Sequence, residues 1–308
     1  VESAADTKTA TQEAVSPDAP DTAQSKPGTE ITGQKGTSLD IGDARLDDIY
    51  RFKSPEIEAE VCRQLNKATG TVTLGDLTAI REILLIGSTR INNWNDFVCF
   101  GKDIHMSDGT RGTSQGVITS LQDISHMSSL RTLVLCNQKI EDITPLEGLN
   151  IQYLALSNNN IGDISPLSAC KELLELVVNG NPLSDIRTCE KLSKLSRLDL
   201  GATDIVDIHP LAGTDIQWLN LYACSLFKNV DAVGKMPSIK GLGLNTINPE
   251  MVKAVCGQKN YTNLIIFDSG ISNLSVFSGM THLEDLNIEG NILTSLDGLQ
   301  ELTKLKAL

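Results

Sequence analysis

Residues 121–308 predict an α/β solenoid: a curved right-handed coil with a parallel sheet on its concave face, short 3-10 turns on its convex face, and an α-helical cap at its N-terminal end. Three observations predict it. A pattern L-x-x-L-x-L-x-x-N-x-I recurs, its first position held by Leu130, Ile151, Leu173, Leu195, Ile216, Ile239, Tyr261, Leu283 and Leu305, at steps of 21 to 23 residues. Chance hydrophobic patterning does not hold phase over so many units. A second segment, D-I-x-P-L, follows the pattern at Asp142–Leu146, Asp163–Leu167 and Asp207–Leu211. Finally, 40% of the chain is apolar but only 4% aromatic, so any large core must be aliphatic.

Taken from the start, residues 1–48 hold ten acids against four bases and no aromatic residue. Such a segment buries too little apolar surface to offset its ordering entropy, and is expected to be a disordered acidic linker. A cap is expected over 49–91. Ser54 suits an N-cap and Pro55 the first helical position. Glu56, Glu58 and Glu60 complement the helix dipole, Ile57, Val61 and Leu65 form one apolar stripe, and Gly70 is the expected stop. Thr73 and Asp76 are spaced as a capping box, and "REILLIG" reads as a strand. Residues 92–120 read as an irregular insertion: a worn repeat with Trp94, Phe97, Cys99 and Ile104 in its apolar slots, then a polar loop. Repeats fill 121–308, with a short helix expected within 244–258 and no C-terminal cap. Leu305 and Leu308 open a unit that is not completed, so this end is expected to continue, fray or pair in an oligomer.

Within L-x-L both leucines point to one side and the middle residue to the other. A single such strand cannot bury its leucines; stacked strands bury a continuous core, each leucine contributing about 1.5–3 kcal/mol. Where the strand ends, backbone groups lose their ladder partners. An Asn carboxamide both donates and accepts there, a need that leucine cannot meet. Asn159, Asn181 and Asn291 hold that column, with Gln138, Thr203, Cys224 and Ser269 standing in elsewhere. In the return segment Asp bonds local backbone N–H groups, and Pro blocks a long helix.

A 22-residue unit with "DITPL", "DISPL" and "DIHPL" resembles the internalin and SDS22-like class of leucine-rich repeats. The helical stretch 54–70 followed by "TVTLGDL" is similar to the N-terminal cap of bacterial internalin-like proteins. The resemblance covers 49–308 and departs from the simplest pattern at 92–120 and 244–258. It implies a secreted or surface-displayed bacterial protein-binding module; the acidic linker 1–48, outside the resemblance, reads as a stalk. Two alternatives stay open: an intracellular SDS22-like scaffold in the cytoplasm, and the sensing ectodomain of a larger membrane-anchored protein.

Signals of chemistry are weak. The formal net charge is −13, and no Lys/Arg cluster offers a nucleic-acid surface. No stretch has the apolar length of a membrane helix. The seven cysteines lack metal-type spacing and are expected to be buried free thiols. "GTSQG" (112–116) has the letters of a nucleophile elbow without the strand and helix that an elbow needs. The four histidines are scattered, so no catalytic residue, metal or cofactor is expected. What remains is the outward column of the sheet, carrying Tyr153, Glu175, Arg197, Asp199, Trp218, Asn220, Tyr222 and Phe267. Exposed aromatics beside an Arg have the composition of an interface hot spot, so these eight are the candidate partner contacts. The competing reading is that an insertion or the C-terminal remainder covers them.

Overall fold

The computed structural model describes residues 45–225 and 227–308. The acidic linker expected at 1–48 lies, up to residue 44, outside the described residues. Helix α1 (Pro55–Leu65) starts at Ser54, whose hydroxyl accepts from the Ile57 N–H, with Glu56 and Glu58 in its first turn. Glu60 does more than face a dipole. It is buried, bonds Arg63 through both oxygens at 2.9 and 2.7 Å, and lies 3.5 Å from Arg90. The helix stops at Asn66 rather than Gly70: Asn66 takes the left-handed conformation (φ 53°), which a short polar side chain tolerates. Helix α2 (Leu74–Leu77) carries the reciprocal Thr73–Asp76 capping box. Asp123, fully buried, ties this cap to the first repeat. Its carboxylate accepts from the Tyr50 hydroxyl and from the Lys53 and Ser54 N–H groups at 2.9–3.2 Å.

Two strands complete the cap, β1 (Glu82–Ile86) and the antiparallel β2 (Thr89–Arg90). Residues 92–120 do not form a repeat. They hold the hairpin β3 (Phe97–Phe100) and β4 (Asp103–Met106), a two-stranded sheet of its own. The repeats contribute β5 (Thr132–Cys136), β6 (Tyr153–Ala155), β7 (Glu175–Val177), β8 (Arg197–Asp199), β9 (Trp218–Asn220), β10 (Gly241–Asn245), β11 (Asn263–Phe267) and β12 (Asp285–Asn287). Helix α3 (Pro249–Cys256), capped by Asn248, sits between β10 and β11. The main sheet runs β2-β1-β5 and then in chain order to β12, parallel throughout except at β2.

Register explains the core. Leu133, Leu154, Leu176, Leu198, Leu219, Leu242, Leu264 and Leu286 pair residue for residue across eight strands, and none is more than 2% exposed. On the return path, 3-10 turns cover Thr144–Leu146, Ser165–Ala169, Arg187–Lys191 and His209–Leu211. Asp142, Asp163, Asp185 and Asp207 each accept from the backbone N–H two residues on. All seven cysteines are free and buried. In the last coil, Ile292, Leu296 and Leu308 are exposed.

The Asn column repeats one arrangement. Asn181 Nδ2 donates to the Leu156 and Val178 carbonyls (2.9 Å each), and its Oδ1 accepts from the Ile161 N–H at 3.0 Å. Asn159 bonds Leu135, Leu156 and Ile140 in the same way, and Asn291 bonds Ile266, Ile288 and Ile271. Each amide therefore joins its own coil to the preceding one. Gln138 reproduces this with Gly87 O and Ile118 N, while Thr203 and Cys224 both donate to the Leu200 carbonyl and lie 3.5 Å from each other. Replacing Asn181 by Ala strips the Val178 carbonyl and the Ile161 N–H of their bonds in the buried interior and leaves the Leu156 carbonyl with Asn159 alone. We expect a loss of about 3 kcal/mol, read as a lower urea midpoint at unchanged slope.

Candidate functional site

The hairpin lies on the concave face and divides it. Beneath it, the outward residues of the first strands are apolar: Leu84 and Ile86 on β1, Val134 and Cys136 on β5, Ala155 on β6, Val177 on β7. Phe97, Cys99 and Ile104 of the hairpin, with Ile91, close over them as a second buried cluster. Polar contacts fix its position. Asn137 donates to the Gly112 and Ser114 carbonyls, Asn158 donates to the Lys102 carbonyl at 2.8 Å, and the Trp94 indole donates to Glu175 Oε2 at 3.0 Å. The Trp94 ring also packs on Tyr153, centroids 5.5 Å apart. Tyr153 and Glu175, two of the eight candidate contacts, are thus half-buried and engaged by the insertion.

Asp199 and Asn220 need a correction: against the expectation that they face solvent, both are buried. Asp199 Oδ1 accepts from Asn179 Nδ2 at 2.6 Å, Asn220 Nδ2 at 2.9 Å and the Gly201 N–H at 3.2 Å. Asn220 Oδ1 in turn accepts from the Tyr222 N–H at 3.0 Å. The side chains of Val98, Cys99, Arg197, Trp218 and Tyr222 surround them, and Gly243 leaves room for Asn220 to lie low, since an added Cβ there would be 2.7 Å from Asn220 Oδ1. Burial pushes the Asp199 carboxyl up to about 6, against the lowering effect of its hydrogen bonds.

Beyond β8 the face opens. Arg197 lies over the Trp218 ring, 5.4 Å from its centroid, and its Nε is 3.8 Å from Glu175. The indole lies flat across the next strand, because β10 presents Gly241 there. A Cβ on Gly241 would fall 1.8 Å from Trp218 Cε3. Tyr222 and Phe267 meet edge to face at 5.6 Å. Two hollows flank the indole. One, of 90 Å³, runs between the hairpin's Val98 and Tyr222, Ile265 and Phe267. The other, of 340 Å³, is lined by Trp218, Asn263, Ile265, Asp285, Asn287 and Ala307. The structure thus brings Arg197, Trp218, Tyr222 and Phe267 together and adds Val98, Ile265 and Asp285, which the sequence reading passed over.

Ser114 of "GTSQG" donates to the Ile86 carbonyl at 2.7 Å and lies 3.0 Å from the Thr89 hydroxyl, a structural use. His209, on the return path, bridges Asp207 (2.8 Å) and Asp231 (3.2 Å), whose hydrogen bonds raise its pKa. Among the described residues no group of His, Cys, Asp and Glu is placed to hold a metal ion.

The family model "Leucine Rich repeats (2 copies)" matches residues 149–188. In structure, the chain is similar to an internalin (inlF) of Listeria monocytogenes. The TM-score is 0.62 and the identity 23%, over 83% of this chain and 68% of that one. An internalin C2 (inlC2) of the same organism gives a TM-score of 0.52 and 21% identity, over 83% and 93% of the two chains. No curated protein sequence matches. The fold is an internalin-like leucine-rich-repeat solenoid.

Within this solenoid, Asp199 sits under the boundary between the covered and open halves of the sheet. A carboxyl with a raised native pKa binds its proton more tightly folded than unfolded. Stability is therefore lost as pH rises from the ordinary Asp value of 3.8 to about 6, and the full penalty applies above that. Asp199→Asn keeps the Oδ1 acceptor and removes the charge. It should match the parent near pH 4 and exceed it at pH 7.5 by up to about 3 kcal/mol, measured by urea unfolding across that range. A difference independent of pH would contradict this.

Proposed function

We propose that this solenoid is a protein-interaction module whose partner seats on the open half of the concave face, over Arg197, Trp218, Tyr222 and Phe267. One observation carries the reading. In a chain with 4% aromatic residues, Trp218, Phe267 and Arg197 converge on the stretch of sheet beside the hairpin, with Tyr222 at its edge against the hairpin turn at Gly101 and hollows on both sides of the indole. Large, stiff aromatic surfaces bind with little loss of side-chain entropy, and a surrounding rim that excludes water strengthens them. Tyr153 and Glu175 contribute by holding Trp94, and hence the hairpin wall, rather than by touching the partner. Asp199 and Asn220 form the polar floor.

For location we favour a bacterial cell-surface or secreted module, with the acidic N-terminal segment as its tether. The likeness of the coil to the two internalins supports this. Among the described residues no helix is long and apolar enough to cross a membrane. A second reading, an intracellular scaffold, is favoured by the seven free thiols. The work we assign to the module is binding, which the aromatic, amide and carboxylate groups of the open face support.

Trp218→Ala tests the site. For a protein partner captured on the wild-type solenoid, affinity should fall by about 30-fold or more, a loss of about 2 kcal/mol. The urea midpoint should stay nearly unchanged, because the indole packs on the sheet's outer face and not in the leucine core. Equal affinity of wild type and variant would remove the concave site. A large drop in stability would make Trp218 a structural residue.

A further inference from the structure

The charges around the open half say what kind of partner it fits. Among its charged side chains, Arg197 is occupied by the Trp218 ring and Glu175. Asp285 lines the larger hollow, with one oxygen accepting from Asn263 Nδ2 at 2.6 Å. Asp268 and Glu289 are exposed, one residue after and one repeat beyond Phe267. None of these three carboxylates has an ion pair among the described residues. Lys306 is paired with Glu284 at 2.6 Å, and its charge also acts on Asp285 without forming an ion pair with it. Lys240 stands on the rim, where the chain enters β10. The uncompensated charge on the open half is therefore negative, while its walls, Trp218, Ile265 and Phe267, are apolar.

Resting on the concave-face reading, we infer that the partner docks a basic segment of chain there. An aliphatic side chain fills the 340 Å³ hollow against Trp218 and Ile265, and a neighbouring Lys or Arg meets Asp285, with a second cation facing Asp268 and Glu289. A purely apolar segment would bury Asp285 with the Asn263 amide and no cation in contact, leaving a desolvated charge. An acidic segment would add like charges across the contact. Basic residues satisfy both surfaces, since their long aliphatic stems lie on aromatic rings while the charged heads reach the carboxylates. The net charge of −13 adds long-range attraction for such a segment, so binding should be fastest at low ionic strength.

The experiment is a selection from a randomised 12-residue displayed peptide library on the intact chain, followed by affinity measurement of the winning synthetic peptides. Enrichment of Lys or Arg adjacent to Leu, Ile or Met is expected. Those peptides should lose affinity about tenfold or more on Trp218→Ala and on the isosteric pair Asp285→Asn with Glu289→Gln, and lose affinity again when salt rises from 50 to 500 mM. Selected peptides that are acidic or uncharged, yet still fail on Trp218→Ala, would overturn the basic-segment inference and leave the concave site standing. Peptides that bind wild type and Trp218→Ala alike, or the absence of any enrichment, would overturn both. Urea unfolding of each variant separates lost contacts from lost folding.

Discussion

A strand three residues long cannot hold its own leucines out of water, and the carboxamide that ends it cannot be satisfied within one coil. The architecture is a consequence of those two facts together. The leucine column supplies nondirectional burial, which by itself tolerates slippage of one coil against the next. The Asn column removes that freedom. Asn181 binds a carbonyl in its own coil, Val178, and both a carbonyl and an N–H of the preceding coil, Leu156 and Ile161. A shift of one residue would break all three bonds and turn every inward leucine to solvent. Register is therefore set twice, once by apolar area and once by amide geometry. Where the column is filled by Thr203 and Cys224, both serve the Leu200 carbonyl and contact each other, and the phase is held by the leucine ladder through Leu198 and Leu219 together with the Asn179–Asp199–Asn220 bonds.

Most of this was legible in the sequence because it is local or periodic. The nine first-Leu positions, the Asp-to-backbone turns, the caps at Ser54 and Thr73 and the short helix near 249 all depend on residues close together in the chain. Two readings failed for a common reason. The helix ends at Asn66, not Gly70, because an αL residue is required and either type supplies one; the choice between them is made by the packing of the chain beyond the helix. The burial of Asp199 and Asn220 depends on residues about twenty positions away, Asn179 and Gly243, which a strand-by-strand reading treats as independent.

A signal for the covered half was nevertheless present. The outward middle residue of L-x-L is apolar in the first strands (Leu84, Val134, Ala155, Val177) and then turns polar or small at Asp199, Asn220 and Gly243. An outward column that is apolar for four strands and then stops implies a cover of that width. The same sequence supplied the cover in Phe97, Cys99 and Ile104, which a repeat template forced into inward slots. The two outward glycines of "GLGL" carried the other message: a strand without side chains on one face invites its neighbour's side chain to lie across it, and Trp218 does.

The hairpin therefore decides which part of the solenoid can be read by another molecule. By covering the apolar strands it removes a patch that would otherwise attract any hydrophobic surface, and with its turn at Gly101 against Tyr222 it leaves a wall, Val98, against which the aromatic half forms a cleft. Its attachment is polar at the edges and apolar beneath, so it is held in place rather than adsorbed. The Trp94–Glu175 bond also draws one carboxylate towards Arg197, which orients the guanidinium over Trp218. A chain of contacts thus runs from the insertion through Glu175 and Arg197 to the indole at the centre of the open face. Loosening Trp94 should change the posture of Trp218 without touching a leucine, because specificity here resides in the layer laid on top of the repeat, while the repeat itself supplies the rigid bed.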